Sequence, residues 1–523
     1  MNAGVLQQAE WLNGDDRKRD LAVRPIAVWL GVVLSFAAAV LFQVSFSVEA
    51  LWPMVLGYLG ILFTLRRLAT PRLAFYLGML TGMGVFVPQM MFLWRIFNVA
   101  AVPLWVILAA FHGVFVLVLG RVQFRWGSGA AWIAAPVLWC GMEYFRSEVW
   151  WLRFSWFTAG SGLPPGARGL LSPLGVYGVG AVGMFVAATA CRLVECAAYR
   201  RRRVGWILVG GAVAAGVAGL LWPDWRSGAQ APGGGIPVAG VQLEIPGVPE
   251  VRVALDRLAR SHPESRMAML SEYTFDEGVP ESVALWCRRN GKYLVAGGRE
   301  ALPAGEIGEG PRWSWLPGGK SMTAGGGEEA ARFYNTAFVI GPDGTVVHRQ
   351  AKSRPIQFFR DGEPARSQRV WESPWGRLGI LICYDASYRR VTDPLVRQGA
   401  QALLIPTMDL ETWGEHQHRL NARMARLRAA ELAIPIFRVA SSGISQLLDA
   451  TGVERALAPF PGSGELIAGN LALNSGRRPL PIDAWAAPAC TFASAGVLLG
   501  LILPKRWFHR SRPSLSAVPS SLP

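Results

Sequence analysis

The sequence predicts an integral membrane α-helical domain, with seven N-terminal spans plus one C-terminal span, that carries an inserted α/β domain. Three observations predict it. Hydrophobic residues make up 51% of the 523 residues and charged ones only 17%, with 22 Trp, a composition foreign to disordered chains and to ordinary water-soluble enzymes. The apolar residues cluster in nearly uncharged runs at 26–46, 49–65, 73–93, 100–120, 130–145, 174–194 and 205–222, with one more at 487–503. Between them, residues 236–480 carry charge throughout, and short apolar runs alternate there with amphipathic stretches.

A bilayer core of ~30 Å takes about 20 apolar helical residues, with ~17 near the lower limit. Most of the runs meet that length, and those at 49–65 and 130–145 are marginal. Seven in succession argue against buried core helices. The first run starts after some 25 residues and no small-residue cleavage site follows it, so it is read as a span rather than a signal peptide. Basic residues set the orientation. Inner segments would hold Arg17, Lys18, Arg19 and Arg24, then Arg66, Arg67 and Arg72, then Arg121 and Arg125, then Arg192 and Arg200 to Arg203, then Lys505, Arg506, Arg510 and Arg512. Short outer segments offer only Arg95, Arg146, Arg153 and Arg168. The expectation is a cytoplasmic segment 1–25, a seven-span domain 26–222, a Pro/Gly-rich linker 223–235, an extracytoplasmic domain 236–480, a last span 487–503 and a cytoplasmic tail 504–523.

The formal net charge of +16 is then largely topological, and no nucleic-acid motif accompanies it. Six Cys are too few for a disulfide scaffold. The outer connection 147–173 crowds Trp150, Trp151, Phe154, Trp156 and Phe157 beside Arg146 and Arg153. It reads either as an interfacial anchor, because aromatic rings favour the headgroup level, or as a loop that guides lipid toward the outer domain.

The outer domain opens with a strand at 238–242. Further buried strands are expected at 267–270, 293–296, 336–340, 378–382, 402–405 and 436–439, with a hairpin turn at Gly341-Pro-Asp-Gly344 returning through 345–347. Helices fit at about 250–260, 281–290, 388–399 and 415–433, and the Gly/Pro-rich stretch 303–330 reads as a long surface loop.

The most informative segment is Trp375-Gly-Arg-Leu-Gly-Ile-Leu-Ile-Cys383-Tyr384-Asp385, an apolar strand running straight into a cysteine. A nucleophile at a strand end is exposed on a sharp turn, where backbone N–H groups can face a developing oxyanion. A thiol needs a base or a nearby positive charge to become a thiolate. Glu272 directly follows another apolar strand, and Lys352 follows the hairpin. Gathered at one sheet edge, Glu272 would take the thiol proton, Lys352 would stabilise the oxyanion and Cys383 would attack a carbonyl. His416 and His418 stand two apart and do not share a helix face, so no metal site is expected.

In that order and context, Glu272, Lys352 and Cys383 resemble the Glu-Lys-Cys triad of the nitrilase superfamily, which implies an αββα sandwich. The stretch Gly376 to Asp385 carries the resemblance most specifically. Tyr334-Asn-Thr-Ala337 and the segment Arg426 to Pro435, with Arg438 to Ser445, also fit. Such a domain between seven spans and one more resembles the apolipoprotein N-acyltransferase family, as do Pro136-Val-Leu-Trp139, Glu143-Tyr-Phe-Arg146 and Phe154-Ser-Trp156.

The resemblance implies a ping-pong acyl transfer in the bacterial inner membrane, with the catalytic domain on the periplasmic side. Cys383 would take a fatty acyl chain from a phospholipid as a thioester and pass it to the N-terminal amine of a lipoprotein. No cofactor is implied, and a monomer is expected. Supporting roles fall to Tyr384, Trp413 and Glu431, and Glu363 is preferred to Asp361 as the second carboxylate. The chain departs from the family at Leu270-Ser-Glu272, where the family reads Trp-Pro-Glu, and at Met408 to Gly414. It is also shorter between Lys352 and Cys383. Two other readings fit the same residues: a membrane-tethered amidase or other carbon–nitrogen hydrolase, with water as acceptor, and a non-catalytic lipid or lipoprotein receptor.

Overall fold

Uncharged runs that cannot remain in water become helices in the first third of the chain. In the computed structural model, which describes residues 25–164, 168–199, 235–302, 332–462, 464–474 and 479–503, these are α1 (Val28–Ser47), α2 (Met54–Leu65), α3 (Pro71–Gln89), α4 (Phe92–Phe97), α5 (Ala101–Tyr144) and α6 (Arg168–Tyr199). The Thr70 hydroxyl accepts from Leu73 N at 3.3 Å, and Pro71 opens α3, so its start is capped. The expected runs at 100–120 and 130–145 are two halves of α5, separated by a backbone break at Gly127 (φ 87°). A similar break at Gly175 (φ 73°) divides α6.

The six expected runs up to residue 194 all fall on helices, and 487–503 falls on the last one, α11 (Asp483–Ile502). Four stretches among the described residues, Val28–Ser47, Phe92–Val149, Gly169–Glu195 and Asp483–Ile502, are long and apolar enough to cross a membrane. At 12 residues, α2 is shorter than its apolar run. The expected seventh run at 205–222, the loop 303–330 and the tail 504–523 lie outside the described residues, as do the N-terminal segment and the linker but for residues 25 and 235.

Two glycines set a close helix contact. Gly78 and Gly82 stand one turn apart on α3. A Cβ on Gly78 would lie 2.7 Å from the His112 carbonyl oxygen of α5, and one on Gly82 would lie 2.7 Å from Ala109 Cα. Small residues at this spacing let two backbones approach where lipid supplies no hydrophobic drive.

The outer domain is two six-stranded sheets. The first is ordered β12 (Leu466–Leu471), β1 (Ile236–Val241), β2 (Met267–Met269), β3 (Tyr293–Ala301), β4 (Phe333–Ile340), β5 (Val346–Ala351). The second runs β11 (Glu454–Ala458), β10 (Ser445–Leu448), β9 (Ile436–Ala440), β8 (Ala402–Thr407), β7 (Gly376–Ile380), β6 (Trp371–Ser373). Parallel pairs β1–β2–β3 and β7–β8–β9 form the two centres. Their strands are buried on both faces, which explains why they read as unbroken apolar runs.

Val238, Met269 and Val295 meet Ile380, Leu404 and Phe437 between the sheets. Helices α7 (Val248–Ser261) and α8 (Glu281–Asn290) cover one outer face, and α9 (Arg389–Arg397) and α10 (Glu415–Leu432) the other. This is the expected αββα sandwich. The strands β6, β10, β11 and β12 add to the expected set, and β12 closes the first sheet by pairing antiparallel with β1 (Ile236 opposite Leu471).

One helix belongs to both halves of the molecule. Ala425, Ala429 and Leu432 of α10 pack on the second sheet, whereas Leu420, Met424, Leu427 and Ala430 join the apolar core of the membrane helices. Arg423, on the same helix, donates to the carbonyls of Phe46 (2.8 Å) and Gly162 (2.6 Å).

Candidate active site

Three strand ends bring the sequence-predicted groups to one edge of the sandwich. Glu272 follows β2, Lys352 follows β5, and Cys383 follows β7 at the head of a single helical turn, Cys383–Ser387. Lys352 Nζ donates to Glu272 Oε1 at 2.8 Å. Asn335 Nδ2 donates to the same oxygen at 2.6 Å, and Met408 N to Oε2 at 2.8 Å. The Met408 carbonyl accepts from Cys383 Sγ at 3.6 Å, so one residue's backbone ties the acid to the thiol. All three are nearly sealed from water: Lys352 is 1% exposed, Glu272 2% and Cys383 5%. Space for the acid comes from β3, where a Cβ at Gly297 would lie 2.6 Å from Glu272 Cα.

The Cys383 backbone has φ 49°, a left-handed conformation that is strained for a residue with a side chain. Its turn is held by Asp385, whose carboxylate accepts from Ser353 N (3.0 Å), Arg354 N (2.7 Å) and Ile382 N (3.4 Å). Asp385 therefore straps the chain after Lys352 to the chain around Cys383.

Electrostatics keep the resting site quiet. Burial raises the Glu272 carboxyl above the ordinary range, with Lys352 opposing and Asp361 reinforcing the shift. Burial also works against the Lys352 charge, but Asp361 and Glu272 together outweigh it and hold the amine protonated. The Cys383 thiol is pushed up by burial and by Glu272, against the pull of Lys352. The geometry thus presents a protonated thiol, a carboxylate of raised basicity and a fixed cation within one enclosure.

The second carboxylate is a correction. Lys352 Nζ lies 2.7 Å from Asp361 Oδ2, and Asp361 is held by Tyr273 OH (2.8 Å), Asn335 Nδ2 (2.9 Å) and Ile356 N (2.6 Å). Glu363 faces outward instead and pairs with Arg332 at 2.7 Å, both partly exposed. A buried amine draws the carboxylate that can be desolvated with it, and the turn at Gly362 (φ 82°) points the two acids in different directions.

Tyr384 and Trp413 line an apolar cavity that reaches Cys383. Glu431 sits elsewhere. It accepts from Val176 N of α6 at 2.7 Å, from Arg389 at 2.9 Å and from Arg428. Arg428 in turn donates to the Ala386 and Ser387 carbonyls at 3.1 and 3.2 Å, so Glu431 reaches the nucleophile turn only through another side chain.

Asn335 and Asp385 lie within Tyr334 to Ala337 and Gly376 to Asp385, where the sequence alone assigns them no role. Their signal was a short polar residue abutting a buried strand end. Among the described residues no cluster of His, Cys, Asp and Glu has the makings of a metal site, and His416 and His418 point to different partners: Gln89 O at 3.0 Å for the first, and the Phe460 ring, stacked at 4.4 Å, for the second.

The aromatic connection folds onto this site. Trp156 Nε1 donates to Ser387 Oγ at 3.0 Å, and its ring meets Tyr384 edge-on at 5.9 Å. Trp156 and Phe157 are buried and Trp151 stays exposed, so the segment docks the outer domain rather than lying wholly at a lipid surface.

The apolipoprotein N-acyltransferase N-terminal domain model matches residues 38–189, and the carbon–nitrogen hydrolase model matches residues 312–459. An apolipoprotein N-acyltransferase of Allorhizobium ampelinum is 27% identical over 73% of this chain and 76% of its own length, and one of Azotobacter vinelandii is 26% identical over 81% and 86%. The chain belongs to the apolipoprotein N-acyltransferase family.

An omega-amidase of Danio rerio, NIT2, is 33% identical over 15% of this chain and 32% of its own. Among solved structures, Saccharomyces cerevisiae Nit3, a nitrilase superfamily member, aligns at 18% identity over 46% of this chain and 90% of its own, with a TM-score of 0.36. Membership in the apolipoprotein N-acyltransferase family covers both halves of the molecule, the membrane helices and the sandwich together.

Proposed function

We propose that the protein is a bacterial membrane acyltransferase that moves a fatty acyl chain from a phospholipid, through a thioester on Cys383, to the N-terminal amine of a lipoprotein. One observation carries this beyond family membership. An apolar cavity of about 140 Å³ lies between the membrane helices and the outer domain and reaches Cys383. Its walls include Phe92, Leu93, Leu104 and Leu108 from the membrane side and Phe358, Phe359 and Trp413 from the outer side. An amidase acting on small polar amides has no use for an apolar wall shared with the membrane helices, whereas an acyl chain does.

The steps follow from the geometry. Glu272 takes the Cys383 proton as sulfur attacks the ester carbonyl, and the oxyanion develops beside Lys352. Collapse expels the lysophospholipid alkoxide, which takes the proton back from Glu272 and leaves the thioester. The lipoprotein amine then attacks the thioester, gives a proton to Glu272, and the thiolate departs to be reprotonated. Asp361 keeps Lys352 charged throughout. Holding both lipid-borne substrates at one membrane surface replaces a search in three dimensions by one in two.

The apolar runs support seven spans before the sandwich and one after it, and the basic-residue asymmetry supports a cytoplasmic N-terminus, with the domain over 236–480 on the periplasmic side of the inner membrane; the protein is taken to act as a monomer.

Mass spectrometry of the purified protein after incubation with phospholipid tests the reading. A fatty-acyl mass on Cys383 that moves to the amine of an added diacylglyceryl lipopeptide is expected. Release of free fatty acid without N-acylated peptide would replace it with the hydrolase reading, and a Cys383 that never acylates would remove catalysis.

A further inference from the structure

Arg153, at the apolar cavity, feels the charges of Arg354 and of Arg390, which lines a neighbouring pocket, and among the described residues none of the three is paired with a carboxylate. Arg153 comes from the aromatic connection and itself lines the cavity. Arg354 stands two residues after Lys352 and is held there by its own N–H on Asp385. Arg390 opens α9, with its guanidinium 3.4 Å from the Glu148 carbonyl. The segments are locked together: Tyr388 OH donates to the Arg153 carbonyl at 3.1 Å, and the Gln357 amide donates to the Trp151 carbonyl.

Two features mark the cluster as unfinished. Among the described residues, none of the three arginines forms an ion pair, whereas the buried Lys352, Arg389, Arg428 and Arg438 do. Glu148, an acid close to Arg153 and Arg390, is buried and already accepts from Tyr177 OH, Arg389 N and Arg390 N. In addition, Nε of Arg153 and Nε of Arg354 are buried without a hydrogen-bond partner. Burial and the charge of Arg354, with a further share from Arg390, pull the Arg153 guanidinium below its ordinary range. Like charges held together and left unsatisfied are costly, and an anion between them removes the cost.

We propose that Arg153, Arg354 and Arg390 form a phosphate subsite that holds the headgroup phosphate of the phospholipid while its acyl chain lies in the cavity leading to Cys383. Guanidinium groups suit this because their planar forks donate in pairs to phosphate oxygens. The position suits it as well, because a glycerophospholipid carries its phosphate a few bonds from the ester carbonyl that Cys383 must reach. The subsite rests on the acyl-donor reading, but it can be tested without any turnover.

The test is equilibrium binding to the full-length Cys383→Ala chain in detergent, with three probes: dioctanoyl phosphatidylglycerol, dioctanoylglycerol and inorganic phosphate. The phosphate-bearing lipid is expected to bind roughly tenfold more tightly than the phosphate-free one, the worth of a charge-assisted contact. Arg153→Gln combined with Arg354→Gln should erase that difference while leaving dioctanoylglycerol binding unchanged, and Arg153→Lys should keep part of it. Inorganic phosphate should compete only weakly, lacking the chain. Equal binding of the two lipids by the parent chain would overturn the proposal. Parallel loss of both in the double variant would overturn it too, by marking the arginines as structural, and inorganic phosphate binding as tightly as the lipid would overturn the headgroup assignment. If these results hold but Cys383 never takes an acyl group in the mass-spectrometric experiment, the acyl-transfer reading fails and the phosphate subsite stands.

Discussion

Asp361 and Glu363 stand two residues apart, carry the same charge and do unrelated work. Asp361 is buried against Lys352, and Glu363 is half-exposed against Arg332. Asp361→Asn leaves the buried amine with one counter-charge, and Lys352→Ala removes the amine proposed to face the oxyanion. Each is expected to slow Cys383 acylation by ~10²-fold or more, whereas Glu363→Gln should change it by no more than about threefold, as for a surface pair. Rates of acyl-adduct formation decide, and a Glu363→Gln chain as impaired as Asp361→Asn would return Glu363 to the site. The sequence favours Glu363 because it ends a Gly-Glu pair where the family reads Phe-Gly-Glu. Which of two neighbouring acids is buried depends on the turn at Gly362, and spacing does not carry that.

Asp385 offers a pH test at the same scale. Burial, set against Lys352 and the N–H donors of Ser353, Arg354 and Ile382, raises its carboxyl to about 6 from an ordinary 3.8. Between those values the folded chain holds the proton more often than the unfolded one. The stability this group contributes is therefore full below about pH 4 and is lost as pH rises through about 6. The stability of the parent chain relative to Asp385→Asn should accordingly fall across that window in thermal unfolding at stepped pH. A difference that is flat or rises with pH would contradict the assignment.

Elements were legible where chemistry is repetitive. The central strands are buried on both faces and read as apolar runs, and amphipathic α7, α8 and α10 read from their periodicity. The strands β11 and β12 did not: most of their positions are exposed or half-buried, without a regular apolar pattern, and β12 is specified by its register on β1, some 230 residues earlier in the chain. The α3–α5 contact was likewise hidden, because an apolar run says that a helix spans but not which face meets which neighbour. That contact makes a prediction for the element. Gly82→Leu forces a side chain into space 2.7 Å from Ala109 Cα and should destabilise the protein by on the order of 1–3 kcal/mol. Gly129→Ala, with nothing within 4 Å of its Cβ, should be neutral or stabilise by up to about 1 kcal/mol. Melting temperatures in one detergent compare them, and a Gly82→Leu chain as stable as the parent would mean that α3 and α5 do not meet there.

At the scale of the whole molecule, the site belongs to neither half alone, because one buried ion cluster serves both. Arg389 of α9 pairs with Asp393 at 2.8 Å, with Glu431 at 2.9 Å and with Asp483 at the start of α11. Glu431 and Asp483 also accept from Val176 N and Tyr177 N, at 2.7 and 3.0 Å, where α6 restarts after Gly175 and presents free amide groups. The same Glu431 steadies Arg428 under the carbonyls of the nucleophile turn. Removing one member of a buried pair costs about 3–5 kcal/mol, since the partner is left charged and dry. Glu431→Ala should therefore lower the melting temperature and also change the rate at which iodoacetamide alkylates Cys383. Arg423→Gln cuts the joint at a different point, at Phe46 and Gly162, with no bond to the nucleophile turn. It should lower the melting temperature through carbonyls left unpaired, at about 1–3 kcal/mol each, and leave alkylation as it was. If both variants alkylate at the parent rate, the ion cluster only fastens the outer domain to the helices; if only Glu431→Ala shifts, the membrane half helps set the geometry of the thiol.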